Sequence, residues 1–389
     1  MGILFKKLFP GVLLAINSLI GIAFLICSYA SYLDPKEFWY TGFLGLFFPY
    51  FLFSLVFFLV FWLFIRIHWA LLSLAVLIIG YQSIIRLVPL NAPQAFELKK
   101  KEGDLRVMTW NVRHFIPFDE SRFKPDGLKH KQQVIDEIRQ YQPDVICFQE
   151  FVSMPDDGEN DPFAYLRDKL GYRYYQFAGT DIFGTKQYSG IAIFSRYPIL
   201  DGNAVPFPDS YDSNAEAPVY ADVKVGEDTV RVFSVHLQSF GFKQDDYQAI
   251  DDLKRDSDKE ITESRKLLSK MKQTFYAHGQ QANYIRDELN SAPHPVVLVG
   301  DLNDVVGSYA YSVLKDDRRD AFLERGFGLG ATFLSSSSMI LRLLPTLRID
   351  YIFHSERYGT RQFVRDGKRL SDHYYLVADL SRAAVSGTN

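Results

Sequence analysis

The first 90 residues contain three long stretches in which apolar residues follow one another almost without a break. Asp, Glu, Lys and Arg are absent from residues 8–33, 38–65 and 67–85. A helix of about 20 apolar residues is long enough to cross the hydrocarbon of a bilayer. The pattern therefore predicts a membrane anchor of three transmembrane helices, near residues 10–32, 39–65 and 68–86. Pro49 lies inside the second helix and is predicted to kink it.

The residues that flank these stretches indicate how the anchor is oriented. Aromatic side chains typical of membrane surfaces occur near the predicted helix ends, at Trp39, Tyr40, Trp62 and Trp69. Lys6 and Lys7 precede the first stretch and Arg66 follows the second, which favours a cytoplasmic amino terminus. Three crossings would then place the rest of the chain on the non-cytoplasmic side, whereas Arg86 and Lys99–Lys101 favour the opposite orientation. A cleaved signal peptide would account only for the first stretch.

From Asp104 onward the pattern changes to that of a soluble α/β domain, in which short apolar runs alternate with amphipathic helical segments. Strands are predicted at 105–110, 144–148, 173–177, 187–194, 218–224, 229–236, 296–300, 348–354 and 374–379. Helices are predicted at 129–141 and 309–316, with a charged helical insert at 244–290. The chain is thus divided into an anchor (1–90), a polar linker (91–103), a folded domain (104–383) and a tail (384–389).

Polar side chains recur where the predicted strands end. The clearest case is the buried run 296–300, because Asp301, Asn303 and Asp304 follow it directly. A sheet fixes the positions of such side chains, and the adjoining loop leaves them open to substrate. The same arrangement recurs at Asn111, Glu150, His236, Asp350, Asp372 and His373. Each residue alone is explained as a turn residue, a cap or an ion-pair partner, but their recurrence at successive strand ends favours a catalytic site.

These residue types suit the attack of water on a phosphoester. Mg²⁺ accepts carboxylate and amide oxygens such as those of Glu150 and Asn111, whereas no cluster of cysteines or histidines in the sequence indicates zinc. A bound Mg²⁺ would neutralise charge on the phosphoryl oxygens and orient the leaving group. A carboxylate could activate the water, and two histidines could stabilise the charge that develops.

Six motifs carry these residues along the chain. They are Thr-Trp-Asn111, Cys-Phe-Gln-Glu150, Ser-Val-His236-Leu, Val-Gly-Asp301-Leu-Asn303-Asp, Arg-Ile-Asp350-Tyr-Ile-Phe and Ser-Asp372-His373. In these motifs and in their order, residues 104–383 resemble the endonuclease/exonuclease/phosphatase superfamily, which includes DNase I-like nucleases, abasic-site endonucleases, neutral sphingomyelinases and inositol polyphosphate 5-phosphatases. The resemblance implies an α/β fold, a four-layer α/β/β/α sandwich with two mostly antiparallel sheets, preceded here by the three predicted transmembrane helices.

For the metal, the resemblance implies a set of oxygen ligands. Glu150 would be the main ligand of Mg²⁺, with Asn111 helping and Asp372 near the ion. Mn²⁺ could substitute for Mg²⁺. The motifs leave open whether one ion or two are bound.

For catalysis, the resemblance implies roles for His236, Asp301, Asn303, Asp350 and His373. Asp301 would activate or orient the attacking water, and Asn303 would hold the phosphate. Asp350 would pair with His373, and His373 would stabilise the transition state together with His236.

Composition narrows the choice of partners but leaves the substrate open. The 389 residues carry a formal net charge of −3, which gives no overall basic surface for nucleic acid. The bilayer is one expected partner, and the tether favours a lipid headgroup or a small phosphoester as substrate; a nuclease and a catalytically inactive scaffold are the alternatives. No obligate protein partner is indicated. The two cysteines, Cys27 and Cys147, are not expected to form a disulfide and leave the compartment open.

Two further segments carry weaker patterns. The insert at 244–290 mixes acidic and basic residues, and it is predicted to be a solvated helical face rather than a DNA-binding arm. Residues 339–345 form an apolar loop before the predicted strand that contains Asp350. Core packing is one interpretation of this loop, and contact with the membrane is the other.

Overall fold

Amino-terminal helices precede a domain built from two sheets. The computed structural model describes residues 2–116, 127–182, 184–211, 215–242, 246, 258–334 and 346–383. The amino-terminal helices are α1 (Gly2–Ala30), α2 (Thr41–Ile65), α3 (Ile67–Ile79) and α4 (Tyr81–Leu87). The described helices of the domain are α5 (Gly127–Tyr141), α6 (Pro162–Asp168), α7 (Asp258–Asn290), α8 (Tyr309–Lys315) and α9 (Ala321–Arg325).

The two sheets have six described strands each. Sheet 1 contains β1 (Leu105–Asn111), β2 (Val145–Ser153), β3 (Tyr174–Asp181), β4 (Tyr188–Ser195), β11 (Tyr358–Arg365) and β12 (Leu376–Arg382), in the spatial order β11-β12-β1-β2-β4-β3. Sheet 2 contains β5 (Ile199–Ala204), β6 (Val219–Val225), β7 (Asp228–His236), β8 (Val296–Asp301), β9 (Arg319–Asp320) and β10 (Asp350–His354), in the order β5-β6-β7-β8-β10-β9. Both sheets are mainly antiparallel, but β1 runs parallel to β2 and β7 runs parallel to β8.

The sheets face each other across an apolar core, and helices cover their outer faces. Because side chains alternate along a strand, each central strand sends apolar residues to both sides. The core between the sheets includes Val107, Cys147, Val232 and Val299. The core between sheet 1 and α5 includes Trp110, Phe148, Val134 and Ile138. The core between sheet 2 and helices α7 and α8 includes Phe233, Leu298, Ile285 and Leu314. The order of layers is the predicted α/β/β/α sandwich.

All nine predicted strands overlap observed ones, whereas β5, β9 and β11 were not predicted. These three strands lie at sheet edges. Edge strands pair on one side only and carry polar residues, so they lack the continuous apolar runs that mark the central strands. The short helices α6 and α9 were also not predicted.

The anchor departs from its prediction in the third span. Helices α1 and α2 are long and apolar enough to cross a membrane, over Phe9–Ala30 and Thr41–Ile65. The predicted helix at 68–86 is instead broken at Gly80, where α3 and α4 meet with a bend of 69°. A Cβ at Gly80 would lie 2.3 Å from the Phe24 ring of α1, so close packing requires glycine at the break. With 13 residues, α3 alone is about 20 Å long, shorter than the roughly 30 Å of hydrocarbon, so a third crossing requires α3 and α4 together as one bent span.

The predicted solvated insert proves to be a packed helix over its described part. Buried apolar residues of α7 follow helical spacing, at Phe275, Ala282, Ile285 and Leu289. The insert is helical as predicted and has an exposed face that includes Arg265 and Asp287, but the buried stripe was not predicted because the many charged residues obscured it. Residues 247–257 of the insert, the apolar loop at 339–345 and the tail at 384–389 lie outside the described residues.

The amino-terminal helices contact the domain on its α7 and α8 side. Asp34, in the loop between α1 and α2, accepts hydrogen bonds from Asn283 of α7 and Tyr309 of α8, both at 3.5 Å. The Phe43 ring of α2 lies edge-on to Phe275 of α7, with centroids 5.1 Å apart. The linker also follows the domain surface, because Asn91 Nδ2 donates to the carbonyls of Leu323 and Gly326. The domain is therefore packed against the amino-terminal helices.

Candidate active site

The carboxyl ends of β1 and β8 bring residues of both sheets into contact. Asn111 ends β1, Asp301 ends β8, and Glu150 lies within β2 next to β1. Nδ2 of Asn111 lies 3.1 Å from Oδ2 of Asp301 and 3.1 Å from Oε1 of Glu150. This amide therefore joins the two sheets at one edge of the sandwich.

Glu150 is presented by an irregularity in β2. Its φ is +50°, and the pairing of β2 with β4 shifts register between Phe148 and Phe151. A bulge of this kind redirects a side chain from the regular alternation of a strand. The Glu150 carboxylate is 26% exposed and lies 3.3 Å from His114 Nδ1, whereas that of Asp301 is 1% exposed. Glu150 thus lies on the solvent side of the cluster.

Two imidazoles flank the Asp301 carboxylate. Nε2 of His236, at the end of β7, and Nε2 of His373, before β12, each lie 3.6 Å from Oδ2 of Asp301. The opposite nitrogen of each ring faces another carboxylate. Nδ1 of His236 lies 2.9 Å from Glu216, and Nδ1 of His373 lies 2.9 Å from Asp350. We therefore assign the Nδ1 hydrogens as donors to these carboxylates, which leaves both Nε2 atoms directed at Asp301.

Burial and charge shift the pKa values of this cluster. Burial by itself lowers the pKa of His236, but Glu216 and then Asp301 raise it to about 9. Burial likewise opposes protonation of His373, yet Asp350 and Asp301 raise its pKa well above the usual value. Burial raises the pKa of Asp301 to about 6, against the lowering effect of His373. Both imidazoles are therefore protonated at neutral pH.

Glu150 behaves differently from the buried Asp301. Burial raises its pKa, but the charges of His236 and His114 and a hydrogen bond from Asn111 outweigh burial, and the pKa falls below its usual value. Glu150 is therefore an ionised carboxylate at neutral pH.

Asn303 and Asp372 lie on loops at the same edge. Asn303 has φ +48°, its backbone N–H donates to Asp301 Oδ1 at 2.8 Å, and its side-chain amide donates to the Leu237 carbonyl at 2.9 Å. Ser371 Oγ donates to the Asn111 carbonyl at 2.9 Å and also lies 3.1 Å from Asp372 Oδ1. Contacts therefore connect all eight residues predicted from the sequence at one edge of the sandwich.

The donor atoms fit a hard divalent cation. Glu150 offers a partly exposed, ionised carboxylate beside the amide of Asn111, and Mg²⁺ binds through one or two carboxylates while keeping several waters. Asp301, Asp350 and His373 form a second group, whose candidate ligand atoms lie within 4.8 Å of one another. In that group Nδ1 of His373 is already engaged by Asp350. The Glu150 and Asn111 pair is therefore the better candidate for holding Mg²⁺, because its carboxylate is partly exposed.

Several residues of this cluster were not predicted from the sequence. Glu216 lies shortly before the amino end of β6 and not at the carboxyl end of a strand, so nothing in the apolar pattern indicates its contact with His236. His114 follows β1 by three residues, in a turn where φ is +53°. His278 of α7 lies 3.1 Å from Asp304 and 2.7 Å from the carbonyl of Gln238, and so joins the loops that follow β8 and β7. These contacts depend on tertiary packing and have no local sequence signal.

Comparison with known families agrees with this geometry. The model of the Endonuclease/Exonuclease/phosphatase family matches residues 108–373, which is more than half of the chain, and the chain belongs to this family. The prediction of the superfamily from the six motifs is thereby confirmed. A second model, a domain of unknown function (DUF8431), matches residues 6–87 and thus covers the amino-terminal helices. A search of curated proteins found no significant match.

Solved structures share the fold at low sequence identity. An endonuclease/exonuclease/phosphatase from Beutenbergia cavernae DSM 12333 is 22% identical with a TM-score of 0.52, over 72% of each chain. A family member from Bacteroides vulgatus is 19% identical with a TM-score of 0.48, over 72% of this chain and 99% of that one. The human Nocturnin catalytic domain with bound sulfate anion is 17% identical with a TM-score of 0.47, over 73% and 95%.

Proposed function

We propose that the protein is a membrane-anchored, Mg²⁺-dependent phosphoesterase that hydrolyses a phosphodiester or phosphomonoester with water. The observation that carries this proposal is the position of Asp301 Oδ2, 3.6 Å from the Nε2 atoms of both His236 and His373. Membership of a family of phosphoester hydrolases supports the reaction class. Apolar helices α1 and α2 support the anchor.

Glu150 and Asn111 would hold the cation, with Asp372 nearby. When bound, Mg²⁺ would neutralise charge on the phosphoryl oxygens, and Mn²⁺ could take its place. Glu150 suits this role because it is ionised and more exposed than Asp301. Asn111 also donates to Glu150 and would fix the orientation of its carboxylate.

The remaining residues would act on the water and on the phosphate. Asp301 accepts the proton of the attacking water, since its carboxylate lies at the centre of the cluster and is held by the Asn303 N–H. His236 and His373 donate from Nε2 to the phosphoryl oxygens, where negative charge grows in the transition state. Asp350 fixes the ring of His373 in the orientation that directs Nε2 to the site. The side-chain amide of Asn303 holds the phosphate.

The location of basic residues supports a non-cytoplasmic catalytic domain. The loop between α1 and α2 contacts the domain, and α2 carries the chain from that loop over 25 residues to Arg66. Arg66 and the start of α1 therefore lie at the end of the helices remote from the domain. Lys6, Lys7 and Arg66 together favour a cytoplasmic location for that end of the helices.

A catalytically inactive scaffold is the alternative class. Keeping buried carboxylates and imidazoles together is costly unless they are used or fully paired. Asp301 is 1% exposed and has Asp350 close enough to raise its pKa. This concentration of charge favours an enzyme over a scaffold.

Hydrolysis of bis(p-nitrophenyl) phosphate by the full chain in nanodiscs tests the proposal. We expect activity that EDTA abolishes and that Mg²⁺ restores. Glu150→Gln should require more Mg²⁺ for half-maximal activity, because it removes a charged ligand. Activity that is insensitive to EDTA, or an unchanged Mg²⁺ requirement in Glu150→Gln, would refute the proposed metal site. Thermal unfolding of each variant provides the control for folding.

A further inference from the structure

The edge of sheet 2 that carries the active site also contacts the anchor. After Asp301 ends β8, the chain passes Asn303 and reaches Gly307, which packs directly against Gly45 near the start of α2. A Cβ built on Gly45 would lie 3.0 Å from the backbone carbonyl atoms of Gly307. Backbone therefore meets backbone at this point. Gly307 is four positions after Asn303 in the chain, a reach of at most about 14 Å.

A second segment joins the same edge to the anchor through aromatic rings. Four residues after His236, the ring of Phe240 lies 5.4 Å from that of Phe275 in α7. Phe275 in turn lies 5.1 Å from Phe43 of α2. The loop that follows β7 is therefore connected to the anchor through one intervening side chain.

A third segment precedes β10, whose first residue, Asp350, pairs with Asp301 across the sheet. Two residues earlier in the chain, Arg348 donates from Nη2 to the carbonyl of Arg86 in α4 at 3.0 Å. Segments from three neighbouring strands thus contact the amino-terminal helices at the catalytic edge of sheet 2.

Two of the anchor residues in these contacts, Phe43 and Gly45, lie in the first turns of α2, directly after a polar loop. The loop between α1 and α2 carries Asp34, Lys36 and Glu37, which are too polar for the hydrocarbon. Trp39 and Tyr40 follow them, and Lys272 of α7 lies over the Trp39 ring at 5.2 Å. With α1 and α2 in a bilayer, this loop would lie at its surface and the catalytic edge would lie next to the lipid headgroups.

From this placement we infer that the substrate is a membrane lipid whose headgroup carries the phosphoester, taken from the bilayer in which the anchor is embedded. The inference rests on the proposed phosphoesterase activity and specifies its substrate class. A lipid phosphate already lies at the same bilayer surface as the site. Enzyme and substrate therefore meet by diffusion in two dimensions. A soluble phosphoester or a nucleic acid gains nothing from this placement, and the net charge of −3 gives no general attraction for nucleic acid.

Vesicles that contain the full chain test this inference. Separate phosphatidylcholine preparations would carry sphingomyelin, phosphatidylglycerol, a phosphoinositide or the total polar lipid extract of the expression host. Matched samples would receive the deacylated, water-soluble headgroup esters, nicked plasmid DNA or bis(p-nitrophenyl) phosphate. Asp301→Asn in the same vesicles shows which hydrolysis comes from this site.

We expect hydrolysis of at least one lipid with kcat/KM at least about tenfold above that of its deacylated ester. We also expect the rate per vesicle to be unchanged when the suspension is diluted at constant lipid composition, because enzyme and substrate share one bilayer. The rate should rise with the mole fraction of the substrate lipid.

Other outcomes separate the two proposals. Cleavage of the aryl diester without cleavage of any lipid, or preference for DNA or for the deacylated esters, would overturn the lipid inference and leave the phosphoesterase intact. A rate that falls in proportion to bulk dilution would also overturn it, since the substrate would then arrive through water. Absence of hydrolysis with every substrate would overturn the proposed function itself.

Discussion

Glu216 holds Nδ1 of His236 at 2.9 Å, in the same way that Asp350 holds Nδ1 of His373 at 2.9 Å. Both rings then direct Nε2 at one oxygen of Asp301. The site therefore contains two equivalent carboxylate–histidine pairs. One pair was predicted from the sequence, and the other was found only in the structure.

Glu216→Gln should shift the pH dependence of activity. Burial lowers the pKa of His236, and Glu216 is the main group that raises it to about 9, so the variant should have a lower pKa. Because protonated His236 is the proposed donor, wild-type activity should fall as pH rises through about 9, and the variant's activity should fall at lower pH. Loss of a charge-assisted hydrogen bond of about 1.5–3 kcal/mol corresponds to a rate loss of roughly 10- to 100-fold.

The pH–rate profile of kcat provides the measurement for Glu216→Gln. Glu227→Gln is a matched control, because Glu227 is exposed in the turn between β6 and β7. If kcat of wild type and of Glu216→Gln falls at the same alkaline pH, Glu216 does not keep His236 protonated.

His278→Asn should lower both stability and turnover. The ring of His278 is buried and joins Asp304 to the carbonyl of Gln238, so it positions the loop that carries Asn303 and the loop that follows His236. Removing it leaves the buried Asp304 carboxylate without this partner, at a cost of about 1–3 kcal/mol. We expect a lower Tm, and a fall in kcat with a smaller change in KM.

His294→Asn is the control for His278, because His294 is 35% exposed and lies before β8, away from the catalytic edge. A folded His278→Asn variant with unchanged kcat would show that the two loops keep their positions without this histidine.

Gly45→Val should weaken the contact between anchor and domain. The new Cβ would meet the backbone of Gly307 at 3.0 Å and the N atom of Ser308 at 3.3 Å. Overpacking of this kind costs about 1–3 kcal/mol. We expect faster hydrogen exchange in residues 302–308 of the full chain in nanodiscs.

Gly11→Val provides a control within α1, since a Cβ at Gly11 meets nothing within 4 Å. Equal exchange in the two variants would mean that the contact between Gly45 and Gly307 does not hold the loop in place.

The sequence predicts the strands of the sandwich well because buried strands require apolar runs. The same runs locate Asn111, Asp301 and His236, since each of these polar residues stands where an apolar run ends. Sequence order alone does not show which strand ends adjoin. The resemblance to a known family supplied that arrangement, and the parallel pairs of β1 with β2 and β7 with β8 explain it.

The other contacts of the site and the break between α3 and α4 were not predictable, because they depend on segments that are distant in the sequence. Glu216 meets His236 across a gap of 20 residues, and His278 meets Asp304 across 26. The break at Gly80 depends on the packing of Phe24 against it. No local pattern of apolar and polar residues carries this information.

The proposed role of Asp301 at the centre of a phosphoester-hydrolysing site is checked by one comparison of variants. It measures kcat for bis(p-nitrophenyl) phosphate with saturating Mg²⁺ in wild type, Asp301→Asn and the control Asp287→Asn, whose carboxylate is 69% exposed on α7. The predicted result is a loss of about 10²- to 10⁴-fold in Asp301→Asn alone, the range for removal of a general base. Full activity in a folded Asp301→Asn variant would exclude Asp301 as the general base.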